Sequence, residues 1–209
     1  MSIGIVKSVD ERGTRLTETS TSEVDLVGQE TTLNIARTVL FAALMGAFAF
    51  VSFPNPFSPA AVTLQVLGVF LAGLFLGPLW GFAAMVLYLF AGAVGAPVFE
   101  GASAGVGHLL GPTGGYLLAF PIATAIVGVV AHGGLQLRSL DDVSELRLLV
   151  AMAAGTVLVY ALGVPFLWYN LELSLRTAVV TGAIVFVPVE AAKALAALAI
   201  VRSEAIRAE

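Results

Sequence analysis

Residues 97–121, PVFEGASAGVGHLLGPTGGYLLAFP, are rich in glycine and proline yet lie between long apolar runs. Inside a membrane protein such a break reads as the wall or lid of a site, and equally as a plain connection between helices. Six glycines (Gly101, Gly105, Gly107, Gly111, Gly114, Gly115) permit sharp turns and close approach of backbone to a ligand, and Pro112 marks a helix boundary.

The rest of the chain explains why the break matters. Over 209 residues it is 58% hydrophobic and 11% charged, with a mean hydropathy of +0.97, whereas soluble domains carry about 25% charged residues. This composition predicts an all-α, polytopic integral membrane protein whose solvent partner is the lipid bilayer; nothing in it points to nucleic acid. Once the apolar segments are assigned, no soluble domain of useful size remains, so an ATPase would have to be another chain, and no GxxxxGK[ST] string occurs. The absence of cysteine excludes disulfides, thiol nucleophiles and thiolate metal sites. His108 and His132 fall in predicted loops without a partner at metal-ligand spacing, so neither a metal nor a cofactor is expected.

The net charge of -4 belongs to the tail and loops. Asp10, Glu11, Glu18, Glu23, Asp25 and Glu30 stand among Ser and Thr, which predicts a solvated, disordered acidic arm over residues 1–30 and no signal peptide. Residues 31–209 then form a single six-helix transmembrane domain. Its first span is expected from Leu33 to Phe53, with Thr31 or Thr32 as N-cap. Ala36, Ala43 and Ala47 share one face of it, a small-residue stripe suited either to another subunit or to a neighbouring helix of the same chain.

Pro54, Pro56 and Pro59 in the uncharged segment 52–63 stop that helix and favour a stiff connection. Spans two and three, Val62–Gly77 and Leu79–Ala96, are joined at Gly77-Pro78; Gln65, in an early turn, can bond a ligand or a neighbouring backbone. Span four runs from Thr113 to His132 and span five from Arg147 to Trp168, whose Trp168-Tyr169 end suits an interface belt. Proline is comfortable at the first helical position and costs about 3 kcal/mol inside a helix. The last span is therefore placed from Pro188 to Ile206, with residues 171–187 as a short interfacial helix; a single kinked helix is the other reading.

With six spans, Lys7, Arg12, Arg15, Arg37, Arg138, Arg147, Arg202 and Arg207 share the side of both termini, and Arg176 alone lies opposite. The positive-inside rule makes the terminal side cytoplasmic. The proline loop, residues 97–121 and the start of the last helix then share the outer face.

Glu190 and Lys193, one turn apart on the last helix, are its charged pair within the membrane. Each charge costs about 2.5–3.5 kcal/mol at mid-membrane on insertion scales, so the pair faces a polar cavity or staples its own helix. A pocket with an acceptor carboxylate, an ammonium and a glycine-rich wall bearing Tyr116 fits a small solute with N–H donors and a carbonyl or anionic acceptor. Spacing goes no further than that.

The strings TLQVLGVFLAGLFLGP (63–78), LYLFAGAVGAPVFEG (87–101), GHLLGPTGGYLLAF (107–120) and FVPVEAAKALAAL (186–198) resemble, in order and spacing, the BioY family, the biotin-specific S-components of energy-coupling factor (ECF) transporters. The resemblance covers most of residues 36–200. It implies the ECF S-component fold in the plasma membrane and a high-affinity biotin-binding subunit, not an enzyme. It also implies docking on a transmembrane coupling subunit driven by two ABC-type ATPase subunits, with Ala43 and Ala47 on the docking face. The family's last helix carries Pro-Gly-Asp and a lysine three residues beyond the acid; here Pro188-Val189-Glu190 and Lys193 stand in their place, so the carboxylate is carried one methylene further out.

By this resemblance Glu190 accepts from the ureido N–H groups of biotin, and Lys193 donates to a ureido or carboxylate oxygen. Tyr116, Thr113, Phe99, Gln65 and Tyr88 complete the walls, and Pro54, Asn55 and Pro56 belong to a lid. Glu100 either lines the mouth or is solvated. The competing readings are an S-component for another vitamin, a biotin carrier working without the ATPase module, and an intramembrane enzyme. The enzyme reading lacks a nucleophile, a metal set or a second nearby acid.

Overall fold

A computed structural model describes residues 22–203, with side chains from Gly28 onward. The chain divides into two units, residues 1–33 and 34–209. Of the acidic arm, residues 1–21 lie outside the described residues, as do Lys7, Arg12, Arg15, Arg207 and the expected end of the last span at Ile206.

The first helix, α1, runs Ser22–Phe50, so it starts ahead of Leu33 and takes in residues 22–30. Thr32 shows why the expected cap fails: its hydroxyl donates back to Gly28 O at 2.8 Å, the bond of a threonine inside a helix and not at its start. The helix also ends sooner than Phe53. Ser52–Phe53 (β1) and Val62–Thr63 (β2) form an antiparallel hairpin, with Ser52 opposite Thr63 and Phe53 opposite Val62. This strand pair and an isolated bridge between Phe99 and Ser103 are the β-structure among the described residues. The loop it closes is held by Asn55, whose side chain accepts from Phe57 N at 3.0 Å and whose carbonyl accepts from Ser58 N at 3.2 Å.

Helix α2 (Gln65–Ala93) contains the expected break at Gly77-Pro78. Gly77 has φ 72° and ψ -175°, a conformation that L side chains rarely adopt, and Pro78 starts the second half. A break leaves carbonyls without helical partners, which is costly where no water is available. One of them, Leu74 O, accepts from His132 Nε2–H at 3.1 Å. His132 is thus the buried last residue of helix α4 (Gly114–His132) and not a loop residue. His108 likewise lies in a short helix, α3 (Val106–Leu110).

Helix α5 spans Glu145–Asn170, with the Ser144 hydroxyl accepting from Arg147 N. Residues 171–187 resolve into helix α6 (Leu175–Gly182), capped by Ser174, and a 3-10 turn, Ile184–Phe186. Helix α7 (Val187–Arg202) follows with Pro188 in its first turn, one residue from the expected start. Among the described residues five helices are long and apolar enough to cross a membrane: Gly28–Phe50, Gln65–Ala93, Gly114–His132, Glu145–Asn170 and Leu175–Arg202. The expected second and third spans, Val62–Gly77 and Leu79–Ala96, thus appear as one element, α2, broken at Gly77.

Helix α4 is the packing centre of the second unit, lying against α2 on one side and α5 on the other, while α7 leans on α2 and α5. Small residues set these distances. A Cβ on Gly128 would stand 2.5 Å from Pro78 N, and one on Gly155 would stand 2.6 Å from a Val127 methyl. Outward-facing positions carry large apolar side chains such as Leu40, Phe50, Phe90, Val94 and Val157, as a bilayer requires.

Gly128→Ala, whose methyl would meet backbone and cannot be relieved by a rotamer change, is expected to destabilise by about 1–3 kcal/mol. Gly134→Ala, with open space around it, is expected to leave the thermal unfolding midpoint in detergent unchanged; equal midpoints for the two variants would contradict this packing.

Candidate functional site

A cavity of about 610 Å³, partly open to solvent, is lined by residues from the β1–β2 hairpin, the 97–121 stretch and helices α2, α4, α5 and α7. Glu190, Lys193, Tyr116, Thr113 and Gln65 all reach its wall.

The polar centre is on α7. The 3-10 turn Ile184–Phe186 delivers the chain to Pro188, and the first turn of α7 then places Glu190 inward, where a helix N-terminus favours a carboxylate. Glu190 and Lys193 are only 5% and 6% exposed. Lys193 Nζ donates to Glu190 Oε1 at 2.8 Å, and the Tyr160 hydroxyl donates to the same oxygen at 3.1 Å. Glu190 Oε2 is buried and has no hydrogen-bond partner. One carboxylate oxygen is therefore bonded twice by the protein, and the other not at all. Lys193 retains two N–H donors beyond the one given to Glu190.

Aromatic rings surround this pair. Tyr160 stacks on Phe186 at 6.2 Å between centroids and meets Tyr116 edge-on at 5.9 Å. The Tyr116 ring fits against Gly163, where a Cβ would stand 2.2 Å from it, and its hydroxyl donates to Gly182 O at 2.8 Å. Thr113 precedes α4 but makes no side-chain cap bond, so its hydroxyl is free to face the cavity.

Gln65 lines the wall with both amide atoms engaged. Oε1 accepts from the Thr63 hydroxyl at 3.1 Å, and Nε2 donates to Tyr88 Oη at 2.8 Å. The Tyr88 hydroxyl donates onward to Val98 O at 3.2 Å, so this chain of bonds anchors the 97–121 stretch to α2.

Two expected wall residues lie one layer back. Tyr88 is 1% exposed and Phe99 0% exposed, and neither lines the cavity. Phe99 fills the space over Gly92, meets Tyr88 edge-on at 5.5 Å and stacks beneath His108 at 5.2 Å. Both are buried by packing against neighbouring side chains behind the wall. Of the expected lid, Pro54 and Pro56 are exposed and Asn55 is half-buried; the hairpin residues that line the cavity are Ala60, Ala61 and Thr63. Glu100, half-buried, lines the wall of this partly open cavity. Ala43 and Ala47 are exposed, whereas Ala42, Met45 and Ala49 form the buried face of α1.

Tyr160, Phe186 and His108 are wall residues that sequence reasoning missed. Tyr160 had a signal. It is a hydroxyl in the middle of an apolar span, away from the Trp168-Tyr169 belt, and a buried tyrosine hydroxyl needs a partner. His108 and Phe186 had none, because only the turns before α4 and α7 aim them.

Residues 18–208 match the BioY family. The chain belongs to that family. Among curated BioY proteins it is 37% identical over 166 residues to the probable biotin transporter BioY of Pyrococcus horikoshii, covering 79% of this chain and 92% of that one. It is 35% identical over 148 residues to the biotin transporter BioY of Thermotoga maritima, covering 71% and 81%. A solved structure, the S-component for biotin from an ECF-type ABC transporter, superposes with a TM-score of 0.77 at 24% identity over 87% of this chain and 94% of that chain. The fold of this BioY-family chain is accordingly the S-component fold.

Tyr160→Phe removes a hydrogen bond to a charged acceptor and is expected to cost about 1.5–3 kcal/mol. Tyr116→Phe removes a bond between neutral groups, worth about 0.6 kcal/mol on average inside membrane proteins. Thermal unfolding of the two purified variants in detergent checks the order; an equal or reversed loss would mean that Tyr160 does not hold Glu190.

Proposed function

We propose that the chain is the membrane subunit that captures biotin at the outer face and passes it to an ATP-driven ECF transporter. The observation that carries this reading is Glu190: a buried carboxylate with Oε1 held by Lys193 and Tyr160 and Oε2 without a partner. An unmet buried acceptor costs about 1–3 kcal/mol, more for a charged group, and a guest with N–H donors relieves it. The ureido ring of biotin has two N–H groups and a carbonyl between them, which complement Oε2 and a spare Lys193 N–H. Tyr160, Phe186 and Tyr116 then enclose the bicycle, with Thr113 and Gln65 at its edge. Tyr88 and Phe99 act through the wall they support. Pro54, Asn55 and Pro56 are the tip of a lid whose base, Ala60 and Ala61, is in the cavity wall.

The remainder of the reading concerns assembly. Counting the halves of α2 separately gives six membrane helices with both termini cytoplasmic, in agreement with the basic residues gathered on one side. The exposed stripe of Ala36, Leu40, Ala43, Ala47 and Phe50 on α1 supports close docking on the helices of a coupling subunit, which two ATPase subunits would drive in the plasma membrane. The family names favour biotin over other vitamins. Binding without transport in cells lacking the coupling module, and transport once it is supplied, would separate the ECF reading from a solitary carrier.

Biotin is expected to bind the purified protein in a saturable calorimetric titration. Glu190→Gln and Lys193→Ala are each expected to weaken it by about two orders of magnitude, the scale of one or two charged hydrogen bonds. Wild-type affinity in either variant would sink the assignment. The chain has no cysteine, which makes the orientation directly testable: a cysteine at Asn55 should react with an impermeant maleimide on intact cells, and one at Ser139 only after lysis.

A further inference from the structure

The cavity carries a second carboxylate that the head-group chemistry leaves unused. Glu100 lines the wall built by the 97–121 stretch, separate from the α7 wall that bears Glu190. It opens the 3-10 turn Glu100–Ala102, which is closed by Phe99 N–H donating to Ser103 O at 3.1 Å. The turn places Gly101 at φ 65° and Ala102 at φ 58°. A left-handed conformation is uncommon at a residue with a Cβ, and a backbone held so at a cavity wall marks a position set by its surroundings.

The charge of Glu100 is not balanced. Its Oε1 accepts from the neutral Ser52 hydroxyl at 3.2 Å, and it forms no ion pair among the described residues, where Lys193 is taken by Glu190. Its neighbour on the wall is another acceptor. The Ser103 hydroxyl gives its proton to Glu100 O at 2.6 Å, so the 3.1 Å bond to His108 must be donated by Nδ1–H of the imidazole. In the neutral ring, Nε2 is then a lone-pair acceptor, and it has no partner among the described residues. Phe99, stacked beneath it, fixes the ring plane.

We propose that Glu100 and His108 form an acceptor subsite for an N–H-bearing tail, amide or ammonium, on the ligand whose head group Glu190 and Lys193 hold. The proposal rests on the biotin reading and extends it: amides of biotin, above all those carrying a cation, are ligands of this cavity. A free carboxylate tail brings like charge towards Glu100 and offers nothing for either acceptor to take. An amide tail removes the repulsion and supplies an N–H. An ammonium adds attraction to the one unpaired charge of the wall.

The test uses the full chain purified in detergent at pH 8, with three probes: biotin, biotinamide and N-(2-aminoethyl)biotinamide. Wild-type protein is expected to bind the cationic amide most tightly and free biotin least. Glu100→Gln keeps the side-chain length and an oxygen for the Ser52 hydroxyl while removing the charge. In that variant the affinity ratio of cationic amide to biotin is expected to fall about two- to fivefold, the scale of a partly exposed charge pair. Taking the ratio within one protein cancels any loss of folded material. A wild-type preference for free biotin, or a ratio unmoved by Glu100→Gln while biotin still binds, overturns the subsite and leaves the head-group reading standing. Failure of all three probes to bind wild-type protein overturns both.

Discussion

A lysine and a glutamate buried at 2.8 Å on one turn of α7 are the interaction on which the rest of the site depends. Two charges cannot be taken from water into a low-dielectric interior without partners, and their mutual attraction alone seldom recovers the desolvation cost. Here the surroundings make up part of the difference. Tyr160 supplies a third group on α5, aimed by its packing against Phe186 and Tyr116, and the start of α7 lends its dipole to Glu190. The arrangement remains incomplete at Oε2. A buried acceptor left unmet in this way is costly, and an N–H donor brought to it would relieve that cost.

The architecture serves to keep this wall and the 97–121 wall facing one cavity. Helix α4 is central because glycines at its contacts with α2 and α5 let backbones approach closely, which replaces the hydrophobic drive that lipid does not provide. The break at Gly77-Pro78 turns α2 while His132 takes up the Leu74 carbonyl that the break frees. Thr63, Gln65 and Tyr88 then transmit the position of α2 to Val98 at the start of the glycine-rich stretch. Tyr88 and Phe99, which a sequence reading places in the cavity wall, pack behind the residues that line it.

What the sequence by itself determined follows from local chemistry. Apolar runs, the prolines at 54, 56, 78 and 188 and the glycines of 97–121 place the helices and their breaks, since backbone geometry at those residues depends little on distant neighbours. Glu190 and Lys193 are legible because a charge within an apolar span needs a reason to be there. The early start of α1 and the small hairpin were not legible: a threonine before an apolar run caps or continues a helix equally well, and a two-residue strand pair leaves no periodic signal. Only the tertiary structure decided which faces meet. It put Tyr160, 30 residues before Glu190, on the same carboxylate oxygen. It drew Tyr88 and Phe99 behind the wall and brought His108 and Glu100 into it. Those outcomes depend on interhelical packing, where a rotation of one residue on a helix changes the side chain that faces the cavity, and no local pattern in the chain records it.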